Sequence, residues 1–375
     1  MSSSERSLTS VALQSLKQAM LREVRYEYNW FQYFRMKNDP TESEPVNSDF
    51  DANLVDRQQE ARTIGLILGS AAKGSSAIIL LLGPVGSGRT SLVNFLLHLN
   101  EQASQEKIRC HKVSLRELTM YKPDRIADYF EKNMAKDTKL LILDDVEELG
   151  DKLLEALTTQ VPRAVLKLVV TTPAHFLALR HRDELVSRWR MALVSPLTER
   201  DSLAFLKNIM TRALQRSSDY SSLFESDAVP RMICEYGMGI PGLTLNLLRQ
   251  CFLLAYQKDS PRLDKTTVLE VARRGAYEVA LKQIIEHKLT EKLFEVLFTL
   301  YFMTSFVPGA QGAEGGTANQ LEEQLDMDRT TVAHYLSELY EMGVVTKQKR
   351  GKPVYYKVPE PVQAALELDC VKRIR

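Results

Sequence analysis

Residues 77–96 read AIILLLGPVGSGRTSLVNFL, and this stretch decides the fold. An apolar run without a charge leads into a glycine-rich loop and then into an amphipathic segment, which predicts a strand, a phosphate-binding loop and a helix. Gly83, Gly86 and Gly88 allow backbone angles that a side chain would forbid, so that successive N–H groups can surround a polyphosphate. The dipole of the following helix favours negative charge at the same place.

The loop fits the pattern G-x-x-x-x-G-K-[ST] at every fixed position but one, because Arg89 stands where lysine is expected. Guanidinium is planar, larger and bidentate, whereas the lysine ammonium is compact. We therefore expect nucleotide binding to be retained more readily than fast hydrolysis. The alternative is a glycine turn that only joins a buried strand to a helix. The residues predicted to contact the nucleotide are Gly83, Pro84, Val85, Gly86, Ser87, Gly88, Arg89, Thr90 and Ser91.

The composition bounds the possible functions. A chain of 375 residues with 44% hydrophobic residues is long enough for two or three domains with sizeable cores. The net charge is +1, so any surface for nucleic acid must be local, and no stretch approaches the length of a membrane span. Four scattered cysteines and six histidines form no zinc pattern and fit a reducing compartment. We expect a cytoplasmic protein without a membrane partner, nucleoid-associated or nuclear if it binds DNA.

The pattern along the chain changes several times and predicts four regions. Residues 1–50 predict a helical extension with an aromatic cluster, followed by an acidic linker, and the cluster either docks on a protein partner or packs on its own chain. Residues 51–196 alternate strands and helices as a parallel sheet does. Residues 197–280 have helical spacing throughout, and residues 287–375 change pattern again.

A second acidic motif follows the phosphate loop. Residues 139–148, KLLILDDVEE, end an apolar strand in two acidic side chains. In P-loop enzymes, the first of these, Asp144, would hold Mg²⁺ through water, and Asp145 would orient or deprotonate the attacking water. The Thr90 hydroxyl would bind the same ion. An acidic pair that only begins a solvated helix is the alternative.

These motifs together resemble those of AAA+ ATPases and the related STAND NTPases. GPVGSGRT, LLILDD, LVVTT, ELVSRW and GMGIPGLTLNLL are similar to the Walker A, Walker B, sensor 1, arginine-finger and sensor 2 regions, over roughly residues 50–275. The resemblance implies ATP and Mg²⁺ as ligands and an α/β P-loop AAA+-type parallel sheet with a helical lid. It also implies that Thr171 or Thr172 contacts the terminal phosphate and that Arg188 reaches the nucleotide of a neighbouring subunit, in a nucleotide-dependent homo- or hetero-oligomer.

The same resemblance extends to the two ends of the predicted ATPase region. LVDRQQE at residues 54–60 is similar to the stretch that approaches adenine, which implies contacts from Val55 and Arg57. Pro241 lies in a turn similar to the GxP motif of STAND lids, but Gly242 replaces the arginine that many AAA+ lids carry, and Arg249 is a weak substitute. Together with Arg89, these departures predict a slow switch and at most a weak ATPase.

Residues 318–358 closely resemble the winged helix-turn-helix of bacterial and archaeal transcription regulators. Two short helices precede two strands that are joined by the basic turn QKRGKP, and Asp328 is placed to cap the second helix. From Gly343 to Arg375 there are eight lysines or arginines against three acids. The residues expected to contact double-stranded DNA are Arg329, Thr330, Thr331, His334, Tyr335, Lys347, Lys349, Arg350 and Lys352.

The order of these parts resembles that of archaeal origin-recognition initiators, and it predicts an ATP-binding switch that places a winged helix on double-stranded DNA. Two alternatives use the same parts. One is a signalling or scaffold NTPase whose winged helix docks on protein, and the other is a regulator of transposition or plasmid maintenance.

Overall fold

The fold centres on a five-stranded parallel sheet. The computed structural model describes residues 30–36, 39–40, 58–74, 77–102, 107–113, 118, 121–144, 146, 156, 165–179, 189–214, 219–306, 315–349 and 353–374. The strands are β1 (Ile78–Leu82), β2 (Cys110–Lys112), β3 (Leu140–Leu143), β4 (Leu166–Thr171) and β5 (Arg190–Leu193), in the order β2-β3-β4-β1-β5. The predicted α/β class with a P-loop parallel sheet is confirmed.

The three central strands are almost entirely buried because they are apolar on both faces. In the register of the sheet, Leu82 lies opposite Thr171 and Leu143 lies opposite Val169. Since all the strands are parallel, the phosphate loop after β1, the acidic residue after β3 and the threonines at the end of β4 meet at one edge. This edge holds the candidate site.

Helices cover both faces of the sheet. They are α1 (Gln58–Ala72), α2 (Arg89–Gln102), α3 (Ile126–Asn133) and α4 (Pro173–Leu179). Ile64 and Ile67 of α1 and Leu96 of α2 pack on one face. Tyr129 of α3 and Phe176 of α4 pack on the other.

A helical subdomain follows β5, as predicted. It contains α5 (Glu199–Ala213), α6 (Ala228–Tyr236), α7 (Pro241–Gln257), α8 (Lys265–Arg274) and the short α9 (Tyr277–Val279), which continues as a π-helix over Ala280–Ile285. Two of these helices have an N-cap residue whose side chain accepts a hydrogen bond from an amide of the first turn. The Thr198 side chain accepts a hydrogen bond from the Asp201 amide, and the Asp264 side chain accepts one from the Thr267 amide.

The N-terminal aromatic residues that the structure describes pack on this helical subdomain. Trp30, Phe34 and Met36 are buried in its core. The Trp30 ring stacks on Phe252 with centroids 5.4 Å apart, and the Phe34 ring lies 4.7 Å from the same partner. Of the two alternatives predicted for the aromatic cluster, packing on its own chain is therefore confirmed for Trp30 and Phe34. These two rings are not available to a protein partner.

The C-terminal region begins with α10 (Glu291–Phe306), followed by α11 (Ala318–Glu322), α12 (Arg329–Glu341) and the antiparallel strands β6 (Thr346–Lys349) and β7 (Val354–Lys357). This is the order predicted for a winged helix-turn-helix. Asp328 caps α12 as predicted, since its carboxylate accepts hydrogen bonds from the amides of Thr330 and Thr331. A long helix that the sequence pattern did not predict, α13 (Glu360–Ile374), follows the hairpin.

Helix α13 is buried along most of its length. Ala364 and Leu368 belong to the core of the helical subdomain, whereas Leu366 and Cys370 belong to the core of the C-terminal region. Among the residues that the structure describes, no helix is both long enough and apolar enough to cross a bilayer.

Candidate nucleotide site and nucleic-acid interface

The phosphate loop begins as a continuation of the central strand. The Gly83 amide donates to the Thr171 carbonyl at 3.4 Å, and the Val194 amide donates to the Leu82 carbonyl at 2.7 Å. A Cβ on Gly83 would lie 2.6 Å from the Ser87 Oγ, so the loop can close only on a glycine here. The first amides of α2 then have no intrahelical acceptor and lie where a polyphosphate would bind.

The oxygen ligands expected for a magnesium ion lie together. The Thr90 Oγ1 is 3.5 Å from Asp144 Oδ1, although the two residues are 54 positions apart in the chain. A hydroxyl and a carboxylate are oxygen donors of the kind that Mg²⁺ prefers. The donor set therefore fits the ion that the sequence predicts.

The second Asp144 oxygen has a partner that the sequence did not predict. Lys112, at the end of β2, places its Nζ 2.9 Å from Asp144 Oδ2. The lysine side chain is 37% exposed and the aspartate side chain 7% exposed, so this ion pair lies at the rim of the site. Because β2 neighbours β3 in the sheet, a residue at the end of β2 reaches the acidic residue directly, but sequence spacing alone does not specify that adjacency.

The two candidate threonines after β4 have different partners. The Thr171 Oγ1 is 2.7 Å from His175 Nδ1, and the Thr172 Oγ1 accepts a hydrogen bond from the His175 amide at 3.2 Å. Both threonines are buried. His175 was not among the predicted site residues, and it fixes this turn because it lies four residues after Thr171, at the start of α4.

A buried glutamate from the C-terminal helix completes the edge of the sheet. Glu367 of α13 accepts a hydrogen bond from the Ala174 amide at 2.9 Å and one from the Tyr301 hydroxyl at 2.6 Å. The Thr172 hydroxyl is a further partner, and Arg89 is the cation that faces this carboxylate. Burial raises the pKa of Glu367 to about 7, although all four of these groups act to lower it.

The helical subdomain, called the helical lid below, contacts the phosphate loop through a backbone hydrogen bond. The Gly242 amide donates to the Gly86 carbonyl at 2.9 Å, and a Cβ on Gly242 would lie 2.9 Å from the Gly86 Cα. Gly239 has φ +73°, and Pro241 starts α7 immediately afterwards. In place of the arginine expected at position 242, Gly242 allows two backbone segments of the chain to approach closely. Arg249, the weak substitute expected for this arginine, has its Nε 3.8 Å from Asp39 Oδ2, and its role toward nucleotide stays a prediction.

The segment that contains these residues matches a known protein family. Residues 79–172, which include the phosphate loop, Asp144 and both threonines, match the model of the ATPase family associated with various cellular activities (AAA). This segment of the chain is therefore similar to AAA-family ATPase domains.

The relatives that match most of the chain are distant. An uncharacterized HTH-type transcriptional regulator of Methanocaldococcus jannaschii is 21% identical over 395 residues, which covers 88% of this chain and 93% of that protein. Two solved structures from Aeropyrum pernix are similar. The structure of ORC2 in ADPNP-ADP complexes has 16% sequence identity and a TM-score of 0.46, and the match covers 90% of this chain and 98% of that chain. The structure of ORC1 in complex with DNA has 16% identity and a TM-score of 0.47, and the match covers 88% of this chain and 97% of that chain. The Holliday junction branch migration motor RuvB of Thermotoga maritima has 20% identity and a TM-score of 0.42, covering 81% of this chain and 93% of that one.

Several residues predicted for the nucleotide site lie outside the described residues. They are Val55, Arg57, Asp145 and Arg188. Within the loop itself, Arg89 is buried while Val85, Thr90 and Ser91 are exposed. The structure thus brings together the loop, the predicted metal ligands, the β4 threonines and Pro241 of the lid.

The helix-helix-hairpin unit, residues 318–358, exposes most of the residues predicted to contact DNA. Arg329, Thr330 and His334 are exposed on α12, and Lys347 and Lys349 are exposed on β6. Arg350 and Lys352 lie outside the described residues. The basic hairpin therefore has at least two exposed lysines, and one of them, Lys347, lies beside Tyr340 near the end of α12.

Two of the predicted DNA contacts have structural roles as well. The Thr331 Oγ1 donates to Asp328 Oδ2 at 2.6 Å, and this hydrogen bond is the main cause that lowers the pKa of Asp328. Tyr335 is half-buried against the core of the C-terminal region. Lys347 lies over the rings of Tyr340 and Tyr356, at 5.5 and 5.9 Å from the centroids, which holds its ammonium on the outer face of the hairpin.

Proposed function

We propose that the protein is an ATP-binding switch with slow hydrolysis that binds double-stranded DNA through its helix-helix-hairpin unit, in the manner of an initiator or a transcription regulator. The main support for nucleotide binding is the proximity of the Thr90 Oγ1 and Asp144 Oδ1, which lie 3.5 Å apart. They lie beside a glycine loop to which the lid is hydrogen-bonded at Gly242. A glycine turn without a ligand would not need a hydroxyl and a carboxylate at this place.

The residues of the site match ATP with Mg²⁺. Thr90 and Asp144 would hold the ion, and the amides at the start of α2 would receive the phosphates. When bound, Mg²⁺ neutralises charge on the β- and γ-phosphates. Lys112 neutralises Asp144 from the opposite side, and a guanidinium at position 89 replaces the compact ammonium, so both features favour slow turnover.

The DNA half rests on the charge and exposure of the helix-helix-hairpin unit. The start of α12 presents Arg329 and His334 to solvent, as a recognition helix requires, and the exposed lysines of β6 are placed for phosphates. The relative from Methanocaldococcus jannaschii, which is named an HTH-type transcriptional regulator, supports a regulatory role for this arrangement.

A second candidate function is a scaffold NTPase that docks a protein through the same unit. It is favoured by Tyr340, which is 46% exposed near the end of α12, and by Glu338 and Glu341 beside it. Acidic side chains would repel phosphates, whereas an exposed tyrosine is typical of protein interfaces. The DNA proposal is preferred because Arg329 and His334 occupy the half of α12 that would enter the groove.

Nucleotide-dependent self-association is also proposed, because Arg188 is useful only if the phosphate of another subunit lies within reach. Sedimentation with and without a non-hydrolysable ATP analogue tests it. A species that stays monomeric under both conditions, including with DNA present, would favour a monomeric switch.

Gel-shift titrations at several salt concentrations test the DNA half. Neutralising Lys349, Arg350 and Lys352 together removes up to three phosphate contacts, so the slope of log K against log salt should shrink by roughly 2 to 3. Changing His334 should instead alter discrimination between sequences, by about 1 to 3 kcal/mol for a lost base contact.

A control variant neutralises three exposed cations of the helical lid: Lys207, Arg262 and Lys265. It should leave the salt slope nearly unchanged although the change in net charge is the same. If neither the parent nor its nucleotide-bound form retards any duplex, the scaffold function is correct and the initiator-like proposal fails.

Nucleotide titration tests the other half. The parent should bind ATP with Mg²⁺ at submillimolar concentration and hydrolyse it slowly, and Arg89→Lys should raise turnover. Absence of binding at millimolar ATP would refute the nucleotide site.

A further inference from the structure

Helix α13 (Glu360–Ile374) connects three parts of the molecule within three successive residues. Leu366 packs in the core of the C-terminal region, and Leu368 packs in the core of the helical lid. Between them, Glu367 points to the end of β4. A movement of α13 away from the sheet would therefore disturb both cores and withdraw this carboxylate from the nucleotide site.

Glu367 is 0% exposed, and every partner that the structure gives it lies on a different element of the fold. The Ala174 amide follows β4, and the Tyr301 hydroxyl comes from α10, at 2.9 and 2.6 Å from the two carboxylate oxygens. The other two partners are the Thr172 hydroxyl and the Arg89 guanidinium. A buried carboxylate is costly unless it is paired and hydrogen-bonded, so these contacts are what makes its position possible.

Two of these partners are the groups that a terminal phosphate would need. Arg89 occupies the lysine position of the phosphate loop, whose role is to contact the β- and γ-phosphates. Thr172 is one of the two candidate threonines at the end of β4. A carboxylate and a γ-phosphate are both anionic oxygen acceptors, and the pair of N–H groups that a guanidinium presents to one of them in bidentate geometry is not available to the other. Their negative charges also repel each other across a buried site.

We propose that Glu367 is a specificity-determining residue, which competes with the terminal phosphate of a nucleoside triphosphate for Arg89 and Thr172 and thereby lowers the preference of the site for tri- over diphosphate. The inference rests on the proposed nucleotide site and adds a coupling between that site and α13. When the triphosphate takes Arg89, Glu367 loses its only charged partner among the groups named above, and its buried position becomes unfavourable. Coupling between two equilibria is reciprocal. The packing of α13 on the sheet, with Glu367 buried, must therefore weaken triphosphate binding by the same factor by which bound triphosphate weakens that packing.

The diphosphate keeps the β-phosphate but lacks the γ-phosphate, which competes with Glu367 for both Arg89 and Thr172, so the effect of Glu367 should depend on the number of phosphates. Removing its charge with Glu367→Gln should tighten binding of a non-hydrolysable ATP analogue by at least ~10-fold and tighten ADP binding by less than ~3-fold. Glutamine can keep the hydrogen bonds, because its carbonyl accepts from the Ala174 amide and the Tyr301 hydroxyl can rotate to accept from its amino group. The matched control is Glu360→Gln, an exposed position on the same helix.

The charge state provides a second arm of the experiment. Burial raises the pKa of Glu367 to about 7, so the carboxylate is mostly charged at pH 8 and mostly neutral at pH 6. The groups that face it are Arg89, Thr172, Tyr301 and Cys370, and His175 binds the neighbouring threonine. The ratio of parent to variant affinity at each pH cancels the titration of the nucleotide and of the groups common to both proteins. This ratio should approach one at pH 6.

Calorimetric titration of the full-length parent, Glu367→Gln and Glu360→Gln with each nucleotide gives the result. An equal gain for ADP and the ATP analogue, or no gain, in a parent that binds nucleotide refutes the competition. Absence of binding by both the parent and Glu367→Gln refutes the nucleotide site itself. Binding by the variant but not by the parent supports strong competition.

Alkylation of Cys370 gives an independent measurement that does not depend on how glutamine is accommodated. This thiol lies three residues after Glu367 and is 0% exposed, and Cys234 of the lid core is a buried internal reference. The ATP analogue should accelerate alkylation of Cys370 relative to Cys234 in the parent, whereas ADP should not. Equal protection of Cys370 with both nucleotides would contradict the coupling to α13.

Discussion

The ionisation of Glu367 should make the stability of the protein fall with rising pH, independently of any ligand. The perturbation is Glu367→Gln, which removes the titrating group. The ordinary pKa of this side chain is 4.5, and burial raises it to about 7 in the folded protein. Such a displacement corresponds to ~3 kcal/mol, since one pKa unit is about 1.4 kcal/mol.

The direction of the effect follows from proton binding. Because the folded-state pKa is the higher one, the folded protein binds more protons than the unfolded chain between about pH 4.5 and 7. The stabilising contribution is fully present below the unfolded pKa and is lost as the pH rises through about 7. For the parent, this group alone should lower the free energy of unfolding by ~2 kcal/mol between pH 5.5 and pH 8.

Urea denaturation of the parent and of Glu367→Gln at pH 5.5, 6.5, 7.5 and 8.5 measures the effect. At each pH, the difference between the two proteins cancels groups that titrate in both, and burial raises the pKa of the nearby Cys370 thiol, so this thiol stays neutral over the range. From the lowest to the highest pH, the free energy of unfolding of the variant should rise by ~2 kcal/mol relative to that of the parent. A difference that is constant with pH, or one shared by Glu360→Gln, would refute the account of a buried carboxylate held by Arg89 and Tyr301.

Three further outcomes are expected. Asp144→Asn should reduce the Mg²⁺ dependence of nucleotide affinity at least ~10-fold in titrations with and without the ion, and an unchanged dependence would remove Asp144 from the metal site. Gly242→Arg, which restores the residue of many AAA+ lids, should lower thermal stability by ~1 to 3 kcal/mol rather than raise ATPase activity, because its Cβ would collide with Gly86, and a stable, faster variant would contradict this. Trp30→Ala should cost ~3 to 5 kcal/mol in urea denaturation because the ring is fully buried against Phe252, whereas an effect below ~1 kcal/mol would show that the N-terminal segment does not dock.

The sheet and its active edge were predictable because their signals are local. An apolar run followed by glycines, or by two acids, specifies a buried strand and the chemistry at its end, as the segments around Gly83 and Asp144 show. Parallel strands then bring those ends to one edge without further information. The cap at Asp328 was equally local, since an aspartate before a helical pattern accepts hydrogen bonds from amides two and three residues later.

What the sequence did not predict depends on contacts between distant segments. Glu367 and Ala174 are 193 positions apart, and Lys112 and Asp144 are 32 positions apart. A signal for Glu367 was nonetheless present, because it lies three residues after Ala364 and four before Val371 on the buried face of α13, where an apolar residue is expected. A charge at a core position of a helix indicates a buried partner, although not which one.

The two departures from the AAA+ pattern have physical partners in the structure. An arginine in the phosphate loop has more donors than a lysine, and here it faces both the place of the phosphates and the buried carboxylate of Glu367. A glycine in the lid removes a cation but lets the backbone at position 242 hydrogen-bond to Gly86 directly. If the site binds nucleotide as proposed, each change exchanges a contact to nucleotide for a contact within the chain. A site built in this way should respond to ATP by rearranging its own contacts, which is the behaviour expected of a switch and not of a fast motor.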